Sequence, residues 1–77
     1  MLELDLKNLN CPLPVLKTKK FLMNLATGTQ VKIYTTDPAS LTDLSDFCAK
    51  TQNILVSQEQ SSGIITTIIQ RVITSGC

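Results

Sequence analysis

The chemistry open to this chain begins at Cys11, which stands directly before a stiff segment, Cys11-Pro12-Leu13-Pro14. Asn10 or Cys11 can cap a helix that has Pro12 at its first position, and the capping side chain faces the unpaired first amides. A sulfur in that place is stabilised as a thiolate, because helix N-termini lower thiol pKa values from about 8.5 into a range of roughly 3.5 to 7.5. Pro12 and Pro14 have no N–H, so the donors left for the sulfur, or for an anion it carries, are those of Leu13 and Val15. The prolines also fix the backbone, so little entropy is lost in holding the sulfur at the tip. Lys17 lies about six residues on, roughly 9 Å along a helix axis, so only a modest shift is expected.

What the chain lacks narrows this chemistry. It has no histidine, so a Cys-His dyad of the protease or acyl-transfer kind cannot be built. Three scattered cysteines, Cys11, Cys48 and Cys77, do not supply the four closely paired ligands of structural zinc, and no CxxC redox motif is present. No metal or cofactor is expected. What remains is thiol–disulfide or thiol–persulfide exchange, which needs only an exposed, partly ionised sulfur and a partner. Taken alone, the string fits equally well a small buried cysteine before a proline-started helix. Cys48 falls on the apolar side of a second helix, where inert burial is the default, and Cys77 is expected to be a frayed terminal thiol.

The 77 residues are expected to form a single domain, 1–77, with 43% apolar and 17% charged residues typical of globular chains. A chain this short buries only about 60 to 65% of its unfolded surface, so its stability margin is thin. The formal charge of +1 gives no global field, which argues against a basic-patch nucleic-acid binder. No run approaches the roughly 20 apolar residues of a membrane span, and MLELDLK is unlike a signal peptide. A cytoplasmic protein with free thiols is therefore expected.

The elements that must position Cys11 follow from periodicity. Leu2, Leu4 and Leu6 alternate with Glu3 and Asp5 as a first strand. A helix then runs from Pro12 to about Ala26, with Leu13, Leu16, Leu22 and Leu25, joined by Phe21 and Met23, as its apolar side and Gly28 as its stop. Val31, Ile33 and Thr35 mark a second strand, and Thr36-Asp37-Pro38 repeats the cap-then-proline signal, with Asp37 as the cap. Leu41, Leu44, Phe47 and Cys48 line a second helix, leaving Asp43, Asp46 and Lys50 to water. A strand over 54–60, a turn at Ser61-Ser62-Gly63 and a strand over 64–73 complete a hairpin. Right-handed crossovers place both helices on one face of a four-stranded mixed sheet, a two-layer α+β sandwich in the order β-α-β-α-β-β. Isoleucines on both faces of the last strand suit an interior position.

The run from Leu4 to Lys20 with its CPLP and LKTKK resembles the TusA family of sulfur carrier proteins, also called SirA-like. Gly28, the Thr36-Asp37-Pro38-Ala39 segment and Asp46-Phe47-Cys48 extend the likeness over about residues 2 to 72. The resemblance implies a sandwich similar to the C-terminal domain of translation initiation factor three, with the last strand inside the sheet. It also implies a persulfide on Cys11, received from a donor protein (a cysteine desulfurase or rhodanese) and relayed to an acceptor such as a DsrE-like protein. Known destinations in the family are tRNA thiolation, molybdenum cofactor biosynthesis and sulfur oxidation. In this role the protein is a protein-level sulfurtransferase without a small-molecule pocket of its own. Pro12, Leu13, Pro14, Val15 and Asp37 are then supporting residues, while Lys17, Lys19 and Lys20 either form a solvated face or steer an acidic partner. The sequence departs from the family at Asn8, where glycine is usual, and at Gln52-Asn53, where a Gly-His pair is common. Asn can replace glycine if the backbone angle is positive. The competing expectation is a regulatory or RNA-contacting module in which Cys11 is structural.

Overall fold

The computed structural model describes residues 2–10 and 13–72. Expectations that fall on Cys11, Pro12, Ile73 and Cys77 lie outside the described residues. The element order is β1 (Leu2–Asp5), α1 (Leu13–Leu22), β2 (Gln30–Thr35), α2 (Ser40–Thr51), β3 (Ile54–Ser61) and β4 (Ile64–Gln70). The strands form one sheet in the order β1-β2-β4-β3. β1 and β2 run parallel, while β4 is antiparallel to both its neighbours. The mixed α+β sheet with an interior last strand is thus as the periodicity indicated.

The alternation along each strand decides the core. Val31 and Ile33 of β2 and Ile65 and Ile69 of β4 are fully buried, and register stacks Val31 beside Ile69 and Leu2. Leu6, Leu22, Leu44, Phe47 and Cys48 close over them from the helix side, with Leu4, Leu9, Val15, Phe21 and Leu55 packed around the rim. Burying a side chain of this size contributes about 1.5–3 kcal/mol. Two polar side chains, Asn53 and Thr51, close the layer at the end of α2. Asn53, 6% exposed, accepts from the Val72 N–H through Oδ1 (2.8 Å) and donates through Nδ2 to Thr51 Oγ1 (2.9 Å), which in turn donates to the Phe47 carbonyl (2.7 Å). From the β3 edge, Gln58 Nε2 donates to the Leu41 carbonyl (2.9 Å), tying strand to helix.

Two turns rest on positive φ. Ser62 (φ 53°) and Gly63 (φ 79°) join β3 to β4 as a two-residue loop of the kind whose twist matches a hairpin. Gln52, at φ 63°, ends α2 in the left-handed region where glycine is usual.

Helix α1 departs from the expected phase and length. Its buried line is Pro14, Thr18 and Leu22, whereas Leu13, Leu16 and Met23 are 45%, 52% and 65% exposed. The 14-18-22 set steps by four along one face, and the 13-16 pair lies on the opposite side of the cylinder. A leucine-rich short helix admits both phases, and the one chosen is fixed by the loop that delivers it. The helix ends at Leu22 rather than near Ala26 because the bonding tightens: Asn24 N–H and Leu25 N–H reach back only three residues, to the Phe21 and Leu22 carbonyls. Gly28 (φ 94°) then turns the chain into β2, its N–H donating to the Arg71 carbonyl (2.8 Å).

Candidate functional site

Because β1 and β2 are parallel, the loops that leave them emerge at the same end of the sheet, and both helices begin there. In open sheets of this kind, that end is where functional groups gather. The first of these loops carries residues 6–12. Leu6 N–H still pairs with the Tyr34 carbonyl (2.8 Å), Lys7 N–H bonds Asp5 Oδ1 (3.0 Å), and Asn8 turns the backbone at φ 69°. The positive angle is the condition under which asparagine replaces the family's glycine. Leu9 drops into the core rim while Asn8 and Asn10 stay exposed.

One hydrogen bond joins this loop to its neighbour. The Asn8 N–H donates to Thr36 Oγ1 (2.8 Å), across the two loops. Thr36 is therefore a site residue that sequence reasoning passed over. Its only signal was its place in Thr36-Asp37-Pro38, and its partner is 28 positions away.

The α1 entrance uses its amides differently from expectation. The Leu13 N–H donates to the Asn10 carbonyl at 2.9 Å, so it is not left over for an anion. Pro14 has no N–H to offer, which leaves Val15 and Leu16 as the first-turn amides whose i−4 acceptors lie outside the helix. Pro14 is itself fully buried. It stiffens the helix entrance and also anchors it, heading the inward line that continues through Thr18 and Leu22. The Thr18 hydroxyl is buried and has no hydrogen-bond partner among the described residues.

The α2 entrance is a wound turn. Asp37 Oδ1 accepts from the Ala39 N–H (3.0 Å), and the Asp37 carbonyl accepts both the Ser40 N–H (2.9 Å) and the Ser40 hydroxyl (2.7 Å). Since Ser40 spends its proton on that carbonyl, its oxygen accepts from the buried Thr35 hydroxyl, 2.6 Å away. Asp37 thus caps the Pro38-Ala39 turn ahead of α2, which itself opens at Ser40, two residues later than Pro38.

Lys17, Lys19 and Lys20 are exposed on the outer side of α1, where they sit with Leu13, Leu16 and Met23 around a shallow depression of about 420 Å³. Lys19 and Lys20 also lie in the last turn, where cations favour the helix dipole. Cys48 is only 3% exposed, and burial pushes its thiol up to about 11. A thiol so shielded is neither a nucleophile nor a resolving partner at neutral pH. Among the described residues no group of three or more His, Cys, Asp or Glu could hold a metal ion, and no helix is long and apolar enough to cross a membrane.

Comparison with known proteins agrees with this arrangement. A family model described as sulfurtransferase TusA matches residues 2–71. The chain is 36% identical over 69 residues to the sulfur carrier protein TusA of Allochromatium vinosum, covering 90% of this chain and 91% of that one. It is 37% identical over 60 residues to the sulfur carrier protein TusA of Pseudomonas putida, covering 78% and 75%. A crystal structure of a SirA-like protein from Desulfitobacterium hafniense superposes with a TM-score of 0.80 at 25% identity, over 91% of this chain and 96% of that one. With CPLP ahead of α1, Thr36-Asp37-Pro38 ahead of α2 and a match along nearly its whole length, the chain belongs to the TusA family of sulfur carriers.

Proposed function

We propose that Cys11 is the carrier thiol. In this reading its thiolate attacks the outer sulfur of a persulfide on a donor protein. The donor's S–S bond breaks, a new S–S bond forms on Cys11, and the donor cysteine leaves as a thiolate. The outer sulfur, ionised as the terminal sulfur of a persulfide anion on Cys11, is held near the Val15 amide and the positive end of the α1 dipole. An acceptor cysteine thiolate then attacks that sulfur, and Cys11 departs as thiolate, so no oxidant or reductant is consumed.

What supports the reading is the family match over residues 2–71, together with the burial of Cys48 in the core. Pro12 and Pro14 stiffen the entrance, and Asp37 and Thr36 hold the neighbouring loop against it. Lys17, Lys19 and Lys20 steer partners carrying acidic surfaces. The donor is a cysteine desulfurase or a rhodanese and the acceptor a DsrE-like or comparable thiol protein, in the cytoplasm. The pathway served is tRNA thiolation, molybdenum cofactor biosynthesis or a related route of sulfur metabolism.

Mass spectrometry after incubation with a cysteine desulfurase and cysteine tests this. The expected result is a gain of one sulfur on Cys11, absent in Cys11→Ser. A gain confined to Cys48 or Cys77, or no gain, overturns it.

A further inference from the structure

Strand β1 gives way to the thiol loop through an irregular rung. Register sets Asp5 beside Tyr34, and the Leu6 N–H then donates to the Tyr34 carbonyl (2.8 Å). In a parallel pair, alternate amides of one strand take carbonyls two residues apart on the other, so the Asn8 N–H is next in line for the Thr36 carbonyl. It takes Thr36 Oγ1 instead, at 2.8 Å. A side-chain hydroxyl has replaced a carbonyl as the last acceptor, and at this point Asn8 turns the chain at φ 69°.

A strand carbonyl is fixed by its ladder, whereas a threonine hydroxyl is only as fixed as the backbone and rotamer behind it. Both neighbours of Thr36 are held. Thr35, fully buried, donates its hydroxyl to Ser40 Oγ (2.6 Å), and Ser40, 1% exposed, donates in turn to the Asp37 carbonyl (2.7 Å). That carbonyl also accepts the Ser40 N–H (2.9 Å), while Asp37 Oδ1 accepts the Ala39 N–H (3.0 Å). One serine therefore ties down the residues on either side of Thr36. An apolar pair could fill positions 35 and 40 without leaving a donor unpaired, so stability alone does not call for two buried hydroxyls there. The amide they serve, through Thr36, stands three residues before Cys11 in the chain.

We propose that Thr36 is a positioning residue for sulfur transfer and that the buried Thr35 and Ser40 hydroxyls act through it. The pair fixes Thr36, Thr36 Oγ1 holds the Asn8 amide, and the held amide sets where the thiol loop leaves the sheet. The role in transfer rests on the reading of Cys11 as carrier; the mechanical coupling from Ser40 to Asn8 does not.

The test compares the full chain with Thr36→Val, with Thr36→Ser, and with Thr35→Val joined to Ser40→Ala, the last also on the Thr36→Val background. Replacing both members of the buried pair orphans neither, which spares the fold. Hydrogen exchange at the Asn8 amide reads the coupling without reference to sulfur. The expected result is exchange about tenfold faster in Thr36→Val, parental in Thr36→Ser and severalfold faster in the pair variant, with no further rise when the pair variant is added to Thr36→Val. Sulfur loading from a persulfide donor reads the function. Its plateau rate should fall severalfold in Thr36→Val and in the pair variant, at an unchanged half-saturating donor concentration, and Thr36→Ser should restore it. Parental Asn8 exchange in Thr36→Val, or a pair effect that persists in full on the Thr36→Val background, would overturn the coupling. Parental loading by a folded Thr36→Val chain, or a loss that Thr36→Ser does not repair, would overturn the positioning role. A parent chain that takes up no sulfur overturns the carrier reading and the role in transfer together, while the exchange data still decide the coupling.

Discussion

Cys48 offers the sharpest check on how this fold sorts its thiols. In the native protein its ionisation lies at about 11, against an ordinary value of 9.0, because burial penalises the thiolate. At pH 8 the thiolate fraction is then about one in a thousand rather than one in ten, so alkylation slows about a hundredfold from ionisation alone, before access is counted. In a Cys11→Ser, Cys77→Ser chain, Ellman's reagent at pH 8 is expected to leave Cys48 unmodified until denaturant unfolds the protein. The same shift couples to stability. The unfolded chain ionises from about 9 upward while the folded chain stays neutral to about 11, so this contribution is fully present below pH 9 and is lost across pH 9 to 11. Its upper size is about 2 to 3 kcal/mol. Tyr34 is a second group shifted between the two states, raised by its hydrogen bond to Glu3, so the measurement is the difference between urea midpoints of the parent and Cys48→Ala from pH 8 to 11. Rapid labelling of Cys48 in the native state, or a pH dependence unchanged by Cys48→Ala, would refute the assignment of Cys48 to the core.

Other substitutions probe the supporting structure. Gln52→Gly relieves a left-handed residue at the end of α2 and should raise stability by about 1 kcal/mol in urea unfolding. Thr67→Val removes a fully buried hydroxyl with no hydrogen-bond partner among the described residues, and the thermal midpoint should rise by several degrees, for a gain of about 1 kcal/mol. Asn53→Ala breaks the link between α2, β3 and Val72 and should cost about 2 to 3 kcal/mol. Thr36→Val deletes the acceptor for the Asn8 N–H. It should slow sulfur loading of Cys11 severalfold with little change in the thermal midpoint, and Thr36→Ser should restore the rate.

The second strand was legible because it buries one face, so the two-residue period at Val31, Ile33 and Thr35 has a single reading, while the last strand was placed inside the sheet by its isoleucines on both faces. Helix α2 was legible for a similar reason, since Asp46 and Lys50 leave only one side to bury. Helix α1 was not: Leu13, Leu16 and Met23 offered an apolar face as good as the true one, and the true one includes a proline and a threonine. What decides between them is tertiary, namely the turn closed by Leu13 and Asn10 and the burial of Pro14. The positive angle at Asn8 was foreseeable from residue type, whereas its bond to Thr36 required knowing that two distant loops meet.

The borders of the sheet bear on whether neighbouring molecules can join edge to edge. β1 has four residues, and β3 is interrupted by an irregularity between Leu55 and Ser57, with Val56 pushed outward. Neither border presents a long, straight row of free amides and carbonyls onto which another molecule's strand could zip. Under the proposed relay, each brief encounter with a partner protein can therefore end in separation rather than in growth of a fibre.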